Sequence, residues 1–309
     1  MNILFIILVA IIIDIVFGEL PSQIHPVVMM GKFIDIFKGF LTKRNSKLAG
    51  AIFTILMIVV FVTAFFLIIQ LFTFNYLIYL LISAIILSTT FAIKVLLNSA
   101  EHIKNDLNQD IETARKSVSY LVSRDTSKLS NEELVSATVE SLTENITDSV
   151  VSPIFYTFIF GVLGGITCRV INTLDAMVGY KNPENIKIGW FPAKLDDIMN
   201  YIPARVTGIL VTLAALLLRF DWKSSYTIMM RDASKTPSPN SGYPMAAAAG
   251  ALGIKLKKIG CYEIGDSINP LNPDKITEAL LLTKITIILF VVLASVVFGI
   301  FLTIAELLI

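Results

Sequence analysis

Charge is what this sequence has least of. Only 16% of its 309 residues are Asp, Glu, Lys or Arg, against 55% hydrophobic residues, and the mean hydropathy is +0.76. A soluble domain carries about 25% charged residues, so the chain is far too apolar for one. The formal net charge is +1, and no basic stretch is present that would grip a nucleic-acid backbone, which excludes nucleic acid as a partner. Cysteine is nearly missing as well. Cys168 and Cys261 have no ligand spacing and form no framework, which removes a disulfide scaffold and a zinc site together. The start, MNILFIILVAIIIDIVFGEL, lacks a positive leading region and a small-residue cleavage site. It reads as a retained first membrane helix, not as a signal peptide. Also missing are GxxxxGK[ST], HExxH, GxSxG and the Rossmann glycine fingerprint, so any nucleotide must bind at a non-standard site. The paired DG and AR of membrane alcohol phosphotransferases fail too, because DDIMNYIPAR has the letters at the wrong distances. No repeat of 20–50 residues is present, which argues against a solenoid.

What is present is an alternation of greasy and polar blocks. Apolar blocks run at about 1–17, 50–69, 76–97, 150–166, 205–220 and 284–308. The second, third and last come near the ~20 residues that a bilayer requires. The fourth carries Pro153, Gly161, Gly164 and Gly165, and the fifth begins at Pro203 and holds Gly208; both read as broken spans, re-entrant segments or buried helices. The fold class expected is an all-α integral membrane protein of about four to six membrane helices, with cytoplasmic helical segments. Residues 1–309 read as one membrane-embedded domain, with membrane helices at 1–97 and 284–309 and a polar, site-bearing region at 98–283. The loop after block one carries Lys32, Lys38, Lys43, Arg44 and Lys47, while QLFTFN between blocks two and three is uncharged. The positive-inside rule therefore puts that first loop, and with it residues 98–148, in the cytoplasm. There DIETARKSVSYLVSRD reads as an amphipathic helix, and Ser130 followed by Glu133 as a capping-box start for the next one.

Four polar stretches are unlike ordinary membrane loops. In ESLTENITD, Glu140, Glu144 and Asp148 recur at i, i+4 and i+8, which on a helix places three carboxylates on one face with Asn145 beside them. Like charges at this spacing repel, and a hard cation such as Mg²⁺ would relieve them; a solvated helix face is the plainer alternative. A second stretch, GELPSQIHPVVMMG, follows helix one, with Asp14 about a turn inside that helix and His25 held extended before Pro26. Asp14 is too short to reach the interface and so is either simply structural or a buried functional partner. A third supplies Arg169, Asn172, Asp175, Lys181, Lys194, Asp196, Asp197 and Arg205. Adjacent Asp196 and Asp197 point in different directions on a helix, so one suits a ligand or cap role and the other a structural one. The basic residues here can pair with those acids or bind phosphate. The fourth, DASKTPSPNSGYP, is a proline-fixed loop carrying Lys235, Ser238 and Asn240, with Pro244 in the first turn of a helix, a junction suited to anions. The small run Ala246–Gly250 that follows permits close helix packing or a large flat ligand.

Taken together, GELPSQIHPVVMMG, ESLTENITDSVVSPIFY, INTLDAMVGYKN, LDDIMNYIPAR and DASKTPSPNSGYPMAAAAGALG, in this order over about residues 14–255, resemble the adenosylcobinamide-phosphate synthase family, the CobD/CbiB type of cobalamin-biosynthesis enzyme. The resemblance departs in two places. Ala193-Lys194-Leu195-Asp196-Asp197 stands where the family commonly has Arg second, and Lys257-Lys258 stands where it has Gly-Gly. Tyr262 and Gly265 align weakly with the Tyr and Gly that follow. The resemblance implies a multi-pass enzyme of the plasma membrane, its site facing the cytoplasm. It would join an aminopropanol, free or as its O-phosphate, to the propionate carboxylate of adenosylcobyric acid, with ATP as co-substrate and Mg²⁺ as cofactor. Implied partners are the corrinoid, aminopropanol phosphate, the lipid bilayer, and either other membrane enzymes of cobalamin assembly or further copies of the chain. On this reading Glu140, Glu144, Asp148 and Asp196 hold metal, and Glu140, Glu144, His25 and Asp197 are the catalytic candidates, His25 as base. Arg169, Asn172, Lys181, Arg205, Lys235, Ser238 and Asn240 contact substrate or phosphate. A single site requires that blocks four and five do not both cross as simple spans. The rival readings are a transporter with a midplane polar site and a non-catalytic sensor or assembly partner.

Overall fold

The structure, a computed structural model, describes residues 2–44, 46–180 and 182–308. Helices dominate. In chain order they are α1 (Asn2–Phe17), α2 (Pro26–Arg44), α3 (Lys47–Leu71), α4 (Tyr76–Ser88), α5 (Ile93–Leu107), α6 (Ile111–Ser119) and α7 (Asn131–Ile146). A π-turn at Thr147–Val151 leads into α8 (Ser152–Phe160), α9 (Val162–Val178), α10 (Trp190–Met199), α11 (Tyr201–Leu217), α12 (Trp222–Asp232) and α13 (Gly242–Leu252). An antiparallel hairpin, β1 (Leu256–Lys258) with β2 (Tyr262–Ile264), precedes α14 (Pro273–Leu308).

Among the described residues, three helical stretches are long and apolar enough to cross a membrane: Lys47–Leu71, Tyr76–Leu107 and Pro273–Phe301, with a fourth if the bent pair Trp190–Met199 and Tyr201–Leu217 is one span. These match apolar blocks two, three and six, and they make an all-α membrane protein. Block one is a helix of 16 residues, shorter than a simple span. Block four is interrupted at Gly161, where φ of +70° separates α8 from α9.

Local chemistry explains the helix starts. Ser130 and Glu133 form the full capping box of α7, each side chain accepting from the other residue's backbone N–H. Asn75, Asp110 and Asp221 cap α4, α6 and α12 one way only, each side chain accepting from amides of the first turn. The amphipathic stretch read as DIETARKSVSYLVSRD is helical only to Ser119. Arg115 there donates to the Leu129 carbonyl and Thr126 to the Arg115 carbonyl, so after Ser119 the chain folds back along α6.

The chain divides into two compact units. Met1–Lys94, Ser152–Asn200 and Val297–Ile309 form one, Val95–Val151 and Tyr201–Val296 the other. In the first, α1 packs on α4, and α9 packs on α2, α3, α8 and α10. Asp14 is buried there and its Oδ2 accepts from the Lys94 amide at 3.0 Å, at the start of α5. In the second, α13 is the central helix, packed by α7, α11 and α12. Its core joins Val135, Val139 and Leu142 to Met245, Ala246, Ala249, Ile276 and Ala279. The small-residue run exists for this packing: a Cβ on Gly250 would fall on the Ser224 carbonyl of α12.

Candidate functional site

In the second unit, Glu140 is 4% exposed and fully engaged. Its Oε1 accepts from Ser136 Oγ at 2.7 Å and its Oε2 from the Tyr262 hydroxyl at 2.9 Å. Arg124 donates to both oxygens, at 3.3 and 3.4 Å. Ser136 Oγ in turn accepts from the Lys257 amide at 3.0 Å. One face of α7 therefore holds both strands of the hairpin, β1 through its backbone and β2 through a phenol. Burial, reinforced by Glu140, drives the Tyr262 hydroxyl well above its ordinary range, so it stays a donor.

Glu144 lies one turn further along α7 and is half-buried. Burial raises its carboxyl above the ordinary value and the charge of Glu140 adds to this, while Lys258 and a hydrogen bond from Ser241 pull it down. Register pairs Lys258 with Tyr262, so the seated hairpin is what brings this cation to Glu144. Asp148 falls in the π-turn. There the i→i+5 bonding pattern breaks the α-helical spacing, so the three acids do not make the even stripe expected from i, i+4 and i+8. The amide of Asn145 donates back to the Ser141 carbonyl of its own helix at 2.8 Å.

Ser241 opens the other wall. The loop before α13 is closed by Thr236 donating to the Ser238 carbonyl at 2.8 Å, with Ser238 Oγ accepting from the amides of Asn240 and Ser241. Arg205 donates to the Tyr201 carbonyl at 2.6 Å and to Asn240 Oδ1 at 3.5 Å. Its guanidinium lies over two rings, 3.4 Å from the centroid of Tyr201 and 4.3 Å from that of Tyr243. Stacking of this kind fixes the plane of the fork. Lys235 faces a different task. Its Nζ is 2.6 Å from Asp232, a fully buried carboxylate that also accepts two bonds from Arg231 and one from the Gly265 amide. Burial alone would raise the Asp232 carboxyl, but the hydrogen bonds from Arg231, Lys235 and Gly265 outweigh it and hold the group well below the carboxylate range. Arg231 also bridges to Asp266 at 3.0 and 3.1 Å.

The first unit has its own polar cluster. Asp175 is pushed up to about 6, by burial first and then by Asp197. Asp196 accepts from the Asn200 side-chain amide at 2.9 Å and lies against Asn172, and Ser152 donates to Asn200 Oδ1. Asp197 turns the other way and pairs with Lys194 at 3.2 Å, which is the divergence that adjacency on a helix predicts. Arg169 donates to Asn172 at 3.5 Å and its charge reaches His25. His25 is buried and caps α2, its Nδ1 accepting from the Val27 amide at 3.2 Å. Burial lowers its pKa, so the ring is neutral and the proton sits on Nε2. Lys181 lies outside the described residues.

Of the residues picked from sequence, the structure thus brings together Glu140, Glu144, Arg205, Ser238 and Asn240 in one unit, and Arg169, Asn172, Asp196 and Asp197 in the other. Sequence reasoning did not single out Arg124, Ser136, Tyr201, Ser241 or Tyr243. Tyr201 and Ser136 carried a signal, their i, i+4 spacing to Arg205 and to Glu140. Among the described residues, no group of three or more His, Cys, Asp or Glu converges as a ready-made cation site.

Comparison with known proteins agrees with the motif order. The family model described as CobD/Cbib protein matches residues 7–304. A probable cobalamin biosynthesis protein CobD of Methanothermobacter thermautotrophicus is 48% identical over 293 residues, 94% of this chain and 96% of that protein. The probable cobalamin biosynthesis protein CobD of Methanocaldococcus jannaschii is 41% identical over 96% of this chain and 98% of its own length. The cobalamin biosynthesis protein CobD of Dehalococcoides mccartyi is 42% identical over 91% of this chain and 93% of its own length. No solved structure matches. With a family model spanning nearly every residue and relatives matched end to end, this chain belongs to the CobD/CbiB family of cobalamin-biosynthesis proteins.

Proposed function

We propose that the protein is an adenosylcobinamide-phosphate synthase. It would join (R)-1-aminopropan-2-ol O-phosphate, or the free aminopropanol, to the propionate carboxylate of adenosylcobyric acid, using ATP and Mg²⁺. One observation carries the reading. Glu144 and Arg205 reach consecutive residues, Ser241 and Asn240, at the start of α13. A carboxylate and a stacked guanidinium thereby meet at the start of α13, near the positive end of its dipole. That combination suits a phosphate group, bound by Arg205 and the loop.

A carboxylate does not condense with an amine unaided, because hydroxide is a poor leaving group. In the proposed route a propionate oxygen attacks the γ-phosphorus of ATP, the bond to the bridging oxygen breaks, and ADP leaves. The amine nitrogen then attacks the acyl carbon, the C–O bond to phosphate breaks, and the proton that would leave the nitrogen charged passes to the departing phosphate. Such transfer depends mostly on positioning and charge stabilisation. Glu144, with Asp148 beyond it, would hold Mg²⁺, which supplies charge neutralisation to the phosphates. Mg²⁺ commonly takes one or two carboxylates and completes its shell with water and phosphate oxygens, so a pair of acids fits it without a third protein ligand. Glu140, with four hydrogen bonds already on it, anchors the hairpin that carries Lys258. Arg169 and Asn172 are assigned to substrate contacts. His25 has its Nδ1 lone pair committed to Val27, so it orients as a donor and is not assigned as the base. The site faces the cytoplasm of the plasma membrane, as the Lys32–Lys47 charges favour.

The test is direct. Purified protein in nanodiscs is incubated with adenosylcobyric acid, aminopropanol phosphate, ATP and Mg²⁺, and the corrinoid amide is sought by mass spectrometry. Amide formed only with ATP supports the proposal. Absence of amide from folded protein, or ATP-independent movement of corrinoid across proteoliposomes, refutes it.

A further inference from the structure

Four helix ends meet around one cavity of the first unit. There α1 begins at Asn2, α3 ends just past Gln70, α4 begins a turn before Tyr79 and α9 begins at Val162. The cavity measures about 360 Å³, and small-molecule pockets start at ~300 Å³. Asn2, Gln70 and Tyr79 line it at these helix ends, and Ile3, Ile6 and Ile69 give it apolar walls. Asn2 is fixed by the Tyr76 hydroxyl, which donates to its Oδ1 at 2.7 Å. Ser83, which also lines the cavity, lies about 10 Å along α4 from Tyr76 at 1.5 Å per residue.

The donors around this space are unused. Ser83 is wholly buried, and its Oγ has no hydrogen-bond partner among the described residues. Thr54 and Thr157, equally buried in α3 and α8, return their hydroxyls to carbonyls one turn back; Ser83 does not. Val162 and Leu163 open α9, where the first amides have no carbonyl within the helix to bond. Gly161, at the capping position, supplies no side-chain acceptor and holds φ at +70°. All three residues line the cavity. A buried hydroxyl and a helix N-terminus thus converge on a space with isoleucine walls, and the helix dipole favours an oxyanion there. Water alone suits it badly. A volume of about 360 Å³ equals about a dozen molecules at ~30 Å³ each, and apolar walls leave most of them short of partners.

The cavity also lies at the depth of a lipid headgroup. It is found at the end of the membrane-crossing helix α3 remote from Lys47, beside the uncharged turn of residues 72–75. Phe66 and Phe160, both exposed, line it as well, Phe66 one turn deeper along α3 than Gln70. None of the lining residues is charged, so recognition rests on hydrogen bonds and apolar contact. We infer that the cavity binds one membrane phospholipid, its phosphate on the amides that open α9, its glycerol-linked oxygen on Ser83, and its tails leaving past Phe66 into the bilayer. A free phosphate would leave the isoleucine walls bare, and a hydrocarbon alone would leave Ser83 and the α9 amides unpaired. Asp175 and its polar cluster lie about 20 Å further along α9 at 1.5 Å per residue, so the lipid site is separate from them. The inference does not depend on the ligase reading.

The test titrates the full chain, in detergent and phosphate-free buffer, with phosphatidylglycerol and reads bound lipid by native mass spectrometry. Parent, Ser83→Ala and Val162→Pro are compared. The first change removes only a hydroxyl that bonds nothing else, and the second removes one amide where proline suits the first turn of a helix. The parent should keep one lipid after looser ones are stripped. Each variant should hold it about tenfold more weakly, the effect of losing a hydrogen bond to a charged group, with its lipid-free unfolding midpoint kept. A parent that keeps no lipid, or a folded variant that keeps it as tightly as the parent, overturns the inference. Dioleoylglycerol, which lacks the phosphate, and millimolar inorganic phosphate should both fail to displace the lipid. Displacement by the first overturns the phosphate assignment, and displacement by the second makes this a site for free phosphate and overturns the lipid. In the parent alone, phosphatidylglycerol with a diazirine near its glycerol should label the peptide holding Phe160–Leu163. Labelling confined to other peptides overturns the inference too.

Discussion

Replacing Glu140 by Gln should cost far more than one hydrogen bond. The carboxylate is 4% exposed and takes bonds from Ser136, Tyr262 and Arg124. Gln offers one acceptor oxygen where Glu offered two, and it turns an NH₂ toward groups that donate. The Arg124 guanidinium then stands without its counter-charge. Removing one partner of a buried ion pair costs about 3–5 kcal/mol. The lower end applies here, because the Arg124 contacts are long, at 3.3 and 3.4 Å, and its side chain keeps 18% exposure. Tyr262→Phe removes a single bond to a charged acceptor, about 1.5–3 kcal/mol. The double variant should lose less than the sum, with a coupling of about 0.5–3 kcal/mol, because each change removes part of what the other needs. Adding Arg124→Gln to Glu140→Gln should recover stability, since the stranded charge is gone. Thermal unfolding of all variants in one detergent checks this. If Glu140→Gln unfolds within about 0.5 kcal/mol of the parent, the carboxylate is not anchoring the hairpin and the reasoning fails.

Three further outcomes follow from the same geometry. The Asp232 carboxyl is held below its ordinary value, so its contribution to stability is full above the ordinary carboxylate range and is lost as pH falls through its depressed value; Asp232→Asn should flatten the acid limb of the stability profile, and an unaltered limb would count against the ion cluster. Asp175 is raised to about 6, so the parent loses stability as pH rises from about 4 to 6; Asp175→Asn should gain at pH 7–8, by at most about 3 kcal/mol before solvent screening is discounted, and the gain should vanish below pH ~4, where both are neutral. Arg205→Lys keeps the charge but gives up stacking on Tyr201 and Tyr243 and the planar fork; KM for the phosphate-bearing substrate should rise about tenfold, equivalent to ~1.4 kcal/mol, and an unchanged KM would remove Arg205 from the site.

Local signals were legible in the sequence and long-range ones were not. Ser130 and Glu133 act within one turn, so their capping box could be read directly, as could Pro244 in the first turn of α13 and the close packing that follows it. The three spans were legible because hydropathy over about 20 residues suffices to mark them. Glu140 was noticed as an acid on a stripe, but its partners Arg124 and Tyr262 lie 16 and 122 residues away, and no spacing rule links them. The hairpin at 256–264 is three residues per strand, too short for alternation to mark it. The π-turn that displaces Asp148 has no sequence signature at all. Lys235 looked like a loop cation facing a ligand, and only the burial of Asp232 shows where it is used.

In the proposed reaction Glu144 acts at the start of α13. Amide formation by Glu144→Gln, measured beside the parent in the same nanodiscs at ordinary Mg²⁺, tests it most directly. kcat should fall about 100-fold or more, with the thermal unfolding midpoint kept, since the substitution removes only a charge that burial already disfavours. Full activity of the folded variant would contradict it.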